Sequence, residues 1–521
     1  MGAGTRSPSP SLGVVGGGTM GQGITLVGLL AGMRVVLVEP VDAMRDRARD
    51  FLHRYLEKKG QGDRLRDLLL VADLESLRGV RVAIEAVPED LDLKQAIFRQ
   101  LDMLCPAPAV LASNTSTLSV GAIGSATGSP DRVAGMHFFN PAPVLPLVEI
   151  IRAEATSEAT VQALLELASR MSKTAIVARD TPGFVVNRVA RPFYAEALRL
   201  LAEGVAPAAV IDQIVERGGG FRLGPFRLID LIGVDVNFAA TRSMYEQTYG
   251  EPRYRPHWIQ EQMVRQGRLG RKAGRGFYEY PSGPSPADPA AELAVGPAEG
   301  RVALGPGTWA PGLADLCRRA GYAVDSTAAV DTTAAFVAGG RDEGALELAA
   351  DFDRQLPRRV PLFCQSADLG LSEIAPRLSH PERLVGFDGL FLAAGVVVTL
   401  VAGSGLDADV RGRAESVVRS LGREPTWIGE SPGLVLPRIV SMLANEAAFA
   451  AGEGVAAPET IDLAMKLGTN YPHGPLEWGG AIGWRRILGV LEHLGRETGE
   501  ERYRAAPWLR RRARLEGLPE P

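Results

Sequence analysis

The sequence predicts a doubly wound α/β domain of the Rossmann type followed by an all-α domain, with this pair repeated in degenerate form in the C-terminal half. The prediction rests on three observations: strand and helix candidates alternate before residue 181, helical periodicity follows to about residue 249, and short matches recur at a fixed offset along the 521 residues. Regular alternation of strand and helix is typical of a parallel sheet with helices on its faces.

Short apolar segments before residue 152 are the strand candidates, at 12–16, 34–39, 80–86, 110–113, 133–137 and 145–151, and a helix is predicted over 19–31. Thr181 is a favourable N-cap and Pro182 suits the first helical position, so a second helix is predicted to begin there. The predicted boundaries are a flexible N-terminus at 1–10, a Rossmann domain at 11–180, a helical domain at 181–280, a Pro-, Ala- and Gly-rich linker at 281–300, a degenerate Rossmann-like domain at 301–430 and a second helical domain at 431–521.

An internal duplication is indicated by matches between the two halves. The segment PGFVVNR at 182–188 faces PGLVLPR at 432–438, an offset of 250, and the same offset pairs Glu196 with Glu446. In the strand-rich part, GGGTMG at 16–21 resembles GPGTWA at 305–310, an offset of 289. A series of this kind is the signature of a repeated structural unit.

Composition excludes several classes of protein. The formal net charge is −4 and no long basic run occurs, so nucleic acid is not expected as a partner. The three cysteines lack metal-type spacing and suit a reducing cytoplasm, so neither a metal nor a disulfide is predicted. No secretory segment is recognised, and the uncharged run at 389–406, which contains glycines and a serine, is predicted as buried strands. We therefore expect a cytoplasmic protein without a membrane partner.

A dinucleotide site is predicted where the first strand meets the first helix. Gly16, Gly18 and Gly21 form a GxGxxG motif, which permits a tight turn, close approach of a pyrophosphate and helix packing on the sheet. Glu39 ends the next strand, where an acid binds the ribose 2′-hydroxyl and repels a 2′-phosphate, so NAD is favoured over NADP. The alternatives are an ordinary glycine-rich turn and a surface acid.

The strongest chemical signal is a histidine followed twelve residues later by a glutamate. His137 and Glu149 lie on consecutive strand candidates, and a hairpin-like return would bring them within hydrogen-bond reach. Imidazole is a suitable base for the proton of an alcohol that loses hydride, and a carboxylate behind it fixes the tautomer. The alternative is a structural histidine in an apolar strand.

These segments resemble the L-3-hydroxyacyl-CoA dehydrogenase family. The matching stretches are VVGGGTMGQGI, EAVPEDLDLK, ASNTSTLS, GMHFFNPAPVLPLVEI, DTPGFVVNR and GRLGRKAGRGFYEY, which occur in the family's order over about residues 11–280. The resemblance implies NAD-dependent oxidation of an L-3-hydroxyacyl-CoA, with His137 as base and Glu149 as the residue that orients it. Positions matching the family's cofactor contacts are Gly16, Gly18, Thr19, Met20, Gly21, Glu39, Glu89, Lys94, Asn140 and Lys272.

The resemblance also assigns substrate contacts. Ser116 and Asn187 would hold the 3-oxygen or the thioester end, although Ser116 could instead cap a helix and Asn187 could brace the two domains. Lys94 and Lys272 have the alternative of solvated surface lysines. The helical arm at 41–70 contains three basic residues that would bind the phosphates of CoA: Arg54, Lys58 and Lys59. The equal alternative is that these side chains only form a solvent-exposed face of the helix.

The C-terminal half does not keep the catalytic residues. Under the offsets of the repeat, Asn187 pairs with Pro437, His137 with Asp388 and Ser116 with Ala367. One active centre per chain is therefore expected, with the two helical domains forming an internal pseudodimer and further homo-oligomerisation left open.

The C-terminal segments LGTNYPHGPLEWGGAIGWRRIL and EERYR further resemble bacterial two-module members of the family that are assigned to aerobic phenylacetate catabolism. This favours 3-hydroxyadipyl-CoA as substrate, with 3-hydroxybutyryl-CoA as the alternative within the class and fatty-acid oxidation as the wider pathway. Outside the class, the alternatives are a non-catalytic crystallin-like protein and a related sugar-acid dehydrogenase.

Overall fold

The computed structural model describes residues 11–281, 298–307, 310–341, 344–392 and 395–517. The predicted N-terminus at 1–10 and residues 282–297 of the predicted linker lie outside these ranges. The chain forms two compact units: the first runs to Arg188 and also contains Glu453–Thr469, and the second contains Val189–Gly452 and the chain from Asn470 onward. The sequence did not predict that a segment of the second half joins the first unit.

The first unit is built on an eight-stranded sheet with the order β3-β2-β1-β4-β5-β6-β7-β8. Its strands are β1 (Ser11–Val15), β2 (Arg34–Val38), β3 (Leu68–Val71), β4 (Val82–Glu85), β5 (Val110–Ser113), β6 (Val133–Phe138), β7 (Leu147–Arg152) and β8 (Thr174–Arg179). The six predicted strands are confirmed, while β3 and β8 were not predicted. The sheet is parallel as predicted, except that β6 and β7 pair antiparallel through the hairpin-like return expected between His137 and Glu149.

Seven α-helices among the described residues belong to this unit: α1 (Thr19–Leu30), α2 (Asp42–Lys58), α3 (Leu91–Leu104), α4 (Val120–Gly124), α5 (Glu158–Arg170), α6 (Val186–Val189) and α17 (Pro458–Thr469). Of these, α1, α2 and α5 bury their apolar sides in one core with the strands. The predicted helix start at Thr181 is wrong, since helix α6 begins at Val186. Gly183 and Phe184 have φ angles of 75° and 49°, which a right-handed helix cannot contain.

The second unit contains a seven-stranded sheet with the order β10-β9-β11-β12-β13-β14-β15. Its strands are β9 (Arg301–Leu304), β10 (Ala323–Asp325), β11 (Thr332–Val337), β12 (Leu362–Gln365), β13 (Leu384–Phe387), β14 (Val397–Ala402) and β15 (Glu424–Ile428), accompanied by α12 (Ala310–Ala320), α13 (Ala345–Gln355), α14 (Leu371–Ile374) and α15 (Ala408–Ser420). The uncharged run at 389–406 contains the buried strand β14, as predicted. Among the described residues, no helix is both long and apolar enough to cross a bilayer.

The remaining helices of the second unit form its all-α part. They are α7 (Arg191–Ala202), α8 (Ala208–Gln213), α9 (Pro225–Ile232), α10 (Val234–Gln247), α11 (Trp258–Arg265), α16 (Leu436–Gly452), α18 (Pro475–Ile482), α19 (Trp484–Thr498) and α20 (Pro507–Leu515). Helix α16 is buried along nearly its whole length and packs against α7, α18, α19 and α20. An apolar helix of this kind is the centre of a helical core.

Candidate active site

The glycine-rich loop connects β1 to α1 with the geometry that a dinucleotide requires. Gly16 has a φ of 106°, and a Cβ at Gly21 would collide with the Gly16 carbonyl oxygen. A Cβ at Gly18 would meet no atom within 4 Å, so this face of the loop is open at the start of the twelve-residue helix α1. Thr19, the first residue of α1, is exposed and Met20 is half-buried. The free N–H groups of a helix start attract phosphates, so the loop fits the pyrophosphate of NAD.

Glu39 lies directly beside this loop. Its carboxylate accepts hydrogen bonds from the backbone N–H of Gly17 at 2.8 Å and of Val41 at 3.0 Å. A side chain at Gly17, the variable position between the first two glycines of the motif, would collide with Glu39, and sequence reasoning missed this role. The carboxylate is therefore fixed next to the predicted nucleotide site, as the ribose assignment requires.

His137 and Glu149 form a buried pair at the antiparallel junction of the sheet. They are direct partners in the register of β6 and β7, and His137 Nδ1 lies 2.7 Å from Glu149 Oε2. The other carboxylate oxygen accepts the backbone N–H groups of Val185 at 3.2 Å and Val186 at 3.0 Å. Since an ionised carboxylate only accepts hydrogen bonds, Nδ1 carries the proton and the Nε2 lone pair is left to act as a base.

The surroundings of His137 hold the ring in place. The ring of Phe139 lies 4.6 Å and that of Phe184 5.9 Å from the imidazole, measured between centroids. Asn114 Oδ1 accepts the backbone N–H of Phe138 at 2.8 Å and so fixes the end of β6. Sequence reasoning did not single out Asn114, although it precedes the Thr115-Ser116 segment of a quoted motif.

Glu89 organises the segment that contains Ser116. Its Oε1 atom accepts the Ser116 backbone N–H at 2.9 Å and the Ser116 hydroxyl at 3.3 Å, together with bonds from Thr115 and Thr117. Burial alone would raise the pKa of Glu89, but the charge of Lys94 and these hydrogen bonds hold it below its usual value. The carboxylate is therefore ionised at neutral pH and binds the loop firmly.

Lys94 is buried, which excludes the alternative of a solvated lysine. Its Nζ lies 2.6 Å from Glu85 and 3.3 Å from Glu89, and the side chain is 1% exposed. Glu85, which sequence reasoning did not single out, also accepts the Ser113 hydroxyl at 2.7 Å. The available signal was an acid at the end of the buried strand β4. Lys94 thus pairs with both Glu85 and Glu89, and Glu89 in turn binds the Ser116 segment.

The remaining predicted site residues differ in their surroundings. Ser119, rather than Ser116, caps α4, so the capping alternative for Ser116 is wrong. Asn187 Nδ2 donates to the Ser116 carbonyl oxygen at 3.4 Å within the first unit. Asn140 is exposed after β6, and Lys272 belongs to the second unit, where it pairs with Asp235 at 2.6 Å.

The basic residues predicted to meet CoA lie at the end of α2. Helix α2 buries Ala48, Leu52 and Leu56, and its opposite side is exposed. The predicted contacts on that side are Arg54, Lys58 and the following Lys59, all exposed. Both alternatives stated for them, CoA contact and a solvated face, are compatible with this position.

The glycine loop and the buried His–Glu pair define the class: an oxidoreductase that uses NAD. Family models agree, since residues 11–181 match the NAD-binding domain of 3-hydroxyacyl-CoA dehydrogenase and residues 183–280 and 433–520 match its C-terminal domain. The chain therefore belongs to the 3-hydroxyacyl-CoA dehydrogenase family. It is an NAD-dependent enzyme that oxidises 3-hydroxyacyl-CoA.

Alignments with individual relatives cover different shares of this chain. A 3-hydroxyadipyl-CoA dehydrogenase of Escherichia coli K12 is 36% identical over 96% of this chain and 97% of its own length. The crystal structure of a 3-hydroxybutyryl-CoA dehydrogenase from E. coli K12 covers 98% of this chain and 99% of its own, with a TM-score of 0.82 and 35% identity. A 3-hydroxybutyryl-CoA dehydrogenase of Mycobacterium tuberculosis H37Rv is 40% identical but covers 52% of this chain and 98% of its own length.

Proposed function

We propose that the chain oxidises 3-hydroxyadipyl-CoA to 3-oxoadipyl-CoA, with His137 as the catalytic base. The observation that carries the proposal is the buried 2.7 Å contact between His137 Nδ1 and Glu149 Oε2, with the second carboxylate oxygen bound by backbone N–H groups. A base fixed in this way has a defined tautomer and direction before the substrate arrives.

In the oxidation, His137 Nε2 takes the proton of the substrate's 3-hydroxyl group. Glu149 stabilises the resulting imidazolium through Nδ1, and the Val185 and Val186 N–H groups keep the carboxylate from turning away. Bound NAD supplies the hydride acceptor for C3. In the reverse direction the imidazolium returns its proton to the 3-oxygen.

Other residues bind and orient. Ser116 and Asn187 are assigned to the 3-oxygen or thioester end, and Glu89 with Lys94 keeps the Ser116 segment in place. The cofactor is assigned to the Gly16–Gly21 loop, to Glu39 through the ribose hydroxyls, and to Asn140 and Lys272.

The dicarboxylic substrate is supported by the length of the match. The relative named for 3-hydroxyadipyl-CoA aligns over 96% of this chain, whereas the mycobacterial relative named for 3-hydroxybutyryl-CoA aligns over 52%. The full-length structural match carries the butyryl name, which keeps that substrate as the second candidate.

The test compares three substrates at equal NAD concentration. Comparing kcat/KM for 3-hydroxyadipyl-CoA, 3-hydroxybutyryl-CoA and 3-hydroxyhexanoyl-CoA separates chain length from charge, because the hexanoyl compound has the same length as the adipyl compound but no distal carboxylate. We expect the adipyl compound to be preferred over both. Equal values for the two six-carbon substrates would exclude recognition of the carboxylate, and no turnover of any of the three would exclude the enzyme class.

We further propose that the C-terminal half is a degenerate copy that acts as an internal partner. The similar strand orders support this, because each sheet contains one antiparallel pair followed by a parallel edge strand. In the second sheet Asp388 takes the place of His137 and Thr399 that of Glu149, so neither the imidazole nor the carboxylate that orients it is retained. The backbone N–H of Asp388 still donates to the Thr399 carbonyl at 3.1 Å.

Reciprocal contacts in the all-α part support the pseudodimer. Glu196 accepts bonds from Arg438 at 2.8 Å and from the Tyr503 hydroxyl at 2.9 Å, both from the C-terminal half. At the offset of 250, Glu446 accepts a bond from Arg253 at 2.7 Å and another from the Tyr254 hydroxyl. Each glutamate is thus bound by arginine and tyrosine side chains of the opposite copy. A fragment of residues 1–290 should therefore be insoluble or homodimerise, and a stable, fully active monomer in solution would contradict the proposal.

A further inference from the structure

A polar cavity lies in the second unit, apart from the residues assigned to catalysis. Its volume is about 130 Å³, and its lining includes Ser366, Glu430, Ser431, His493 and Glu497. The cavity lies where strands and loops of the second sheet meet helix α19. Neither the dehydrogenase reaction nor the pseudodimer gives this cavity a role.

Two potential metal ligands, His493 and Glu497, line this cavity, and a third, Glu373, lies beside them. One ligand atom each from Glu373, His493 and Glu497 lies within 4.8 Å of the other two. His493 Nδ1 is 3.9 Å from Glu373 Oε1 and 4.0 Å from Glu497 Oε1. His493 and Glu497 are four residues apart on α19, so their side chains lie on the same face of the helix, while Glu373 comes from α14.

Two further observations point to a ligand. The Ser366 hydroxyl is buried, lines the same cavity and has no hydrogen-bond partner within the described part of the chain. His493 lines the same cavity and is 2% exposed. A buried hydroxyl without a partner costs free energy unless a ligand or water satisfies it.

We propose that Glu373, His493 and Glu497 bind a divalent transition-metal ion that ties α14 to α19. One imidazole nitrogen and two carboxylate oxygens are ligands that suit ions such as Zn²⁺ or Co²⁺. The contacts of 3.9 Å and 4.0 Å must shorten modestly for all three atoms to reach one ion. The cavity leaves room for water in the remaining positions.

Two arginines compete with the ion for these ligands. Arg341 contacts Glu373, and Arg496 Nη2 lies 3.5 Å from His493 Nδ1. The Arg341 side chain is 37% exposed and Arg496 is exposed, so both can turn into solvent when an ion binds. The arginines therefore lower the affinity for the ion, since they repel its charge, and removing Arg496 should strengthen binding.

The test is metal binding by the full-length, tag-free protein after treatment with a chelator. Equilibrium dialysis against Zn²⁺, and the absorption spectrum of bound Co²⁺, should show a single ion per chain. His493→Ala and Glu497→Gln should weaken binding by at least about tenfold, and Arg496→Ala should strengthen it. His380→Ala is the matched control, because His380 forms a 3.3 Å pair with Glu382 outside the cluster and should leave binding unchanged.

Several outcomes would overturn the proposal. These are absence of Zn²⁺ binding by the wild-type chain, wild-type affinity in both His493→Ala and Glu497→Gln, or equal weakening in His380→Ala. Glu497 is 46% exposed, so its substitution does not disturb a core. Far-UV circular dichroism and NADH-dependent turnover show for every variant that the fold and the separate catalytic site are intact.

Discussion

Replacing Glu149 by glutamine tests whether the buried carboxylate orients the base. The substitution keeps size and shape but removes the charge. The carbonyl oxygen of glutamine can still accept the Val185 and Val186 N–H groups, which now bind Glu149 Oε1. The amide NH₂ then faces His137 Nδ1, which must become an acceptor. The imidazole proton moves to Nε2, and the nitrogen that faces the substrate can no longer take a proton.

The expected loss follows from the contact that is broken. A charge-assisted hydrogen bond contributes about 1.5–3 kcal/mol, and each 1.36 kcal/mol changes a rate tenfold. Loss of this bond alone therefore lowers kcat by roughly 10–150-fold. Reversal of the tautomer adds to this, so we expect kcat to fall by roughly two to four orders of magnitude.

The assay is steady-state oxidation of NADH with acetoacetyl-CoA, together with NADH binding followed by fluorescence. Binding of NADH should be unchanged, because the glycine loop and Glu39 are untouched. Glu158→Gln is the control, since Glu158 is 62% exposed and pairs with Arg152 at the end of the same strand. A loss of less than tenfold in Glu149→Gln, or an equal loss in the control, would refute the orienting role.

Further predictions concern the base, the cofactor and pH. His137→Ala should lower kcat by roughly two to four orders of magnitude with NADH binding retained, and a loss below tenfold would remove it from the base role. Because Glu39 repels a 2′-phosphate, kcat/KM should be higher with NADH than with NADPH, and equal values would contradict the assignment. Burial raises the pKa of Asp212 from 3.8 to about 7 despite hydrogen bonds from Tyr278, Phe226 and Arg227. The stability that Asp212 contributes is therefore complete below pH 3.8 and lost as pH rises through about 7. Thermal unfolding of Asp212→Asn should lack this part of the pH dependence, and an unchanged profile would exclude it.

The His137–Glu149 pair could be predicted from sequence because it depends on local geometry. Two strands joined by a short return lie side by side, and residues twelve apart can then face each other. Val110–Ser113 was predicted with its observed bounds because it is a short apolar run with no competing pattern. Strand β3 was missed because its four residues follow a helical arm and are only partly buried.

The network beneath Ser116 could not be predicted from sequence. In the sequence, Lys94 occurs at a position typical of the exposed face of a helix. Its burial depends on Glu85 at the end of β4 and on Glu89 in the loop that follows, which both contact its ammonium group. Only the tertiary arrangement decides that a lysine is enclosed by carboxylates. The same holds for Glu453–Thr469, whose place in the first unit depends on contacts with residues far away in the chain.

The last prediction concerns the charges between the two helical copies. Arg438 is 1% exposed and binds Glu196, whose side chain is also 1% exposed, as well as Glu203. Burial alone would raise the pKa of Glu196, but Arg438, Arg502 and Arg199 hold it below its usual value, so the carboxylate is ionised. Arg438→Met therefore leaves a buried charge with fewer partners, which costs about 3–5 kcal/mol.

The pair itself is separated from a general packing defect by a double-mutant cycle. If Arg438 and Glu196 stabilise each other, adding Glu196→Gln to Arg438→Met should cost less than Glu196→Gln costs in the wild-type chain, so the loss in the double variant should be smaller than the sum of the two single losses. The control is Arg510→Ala, which breaks an exposed pair with Glu492 and should cost no more than about 1 kcal/mol. Urea unfolding followed by circular dichroism measures the wild-type chain, the two single variants, the double variant and the control. If the two substitutions are additive, these charges do not couple the two helical regions, and the proposed pseudodimer would have to depend on apolar packing alone.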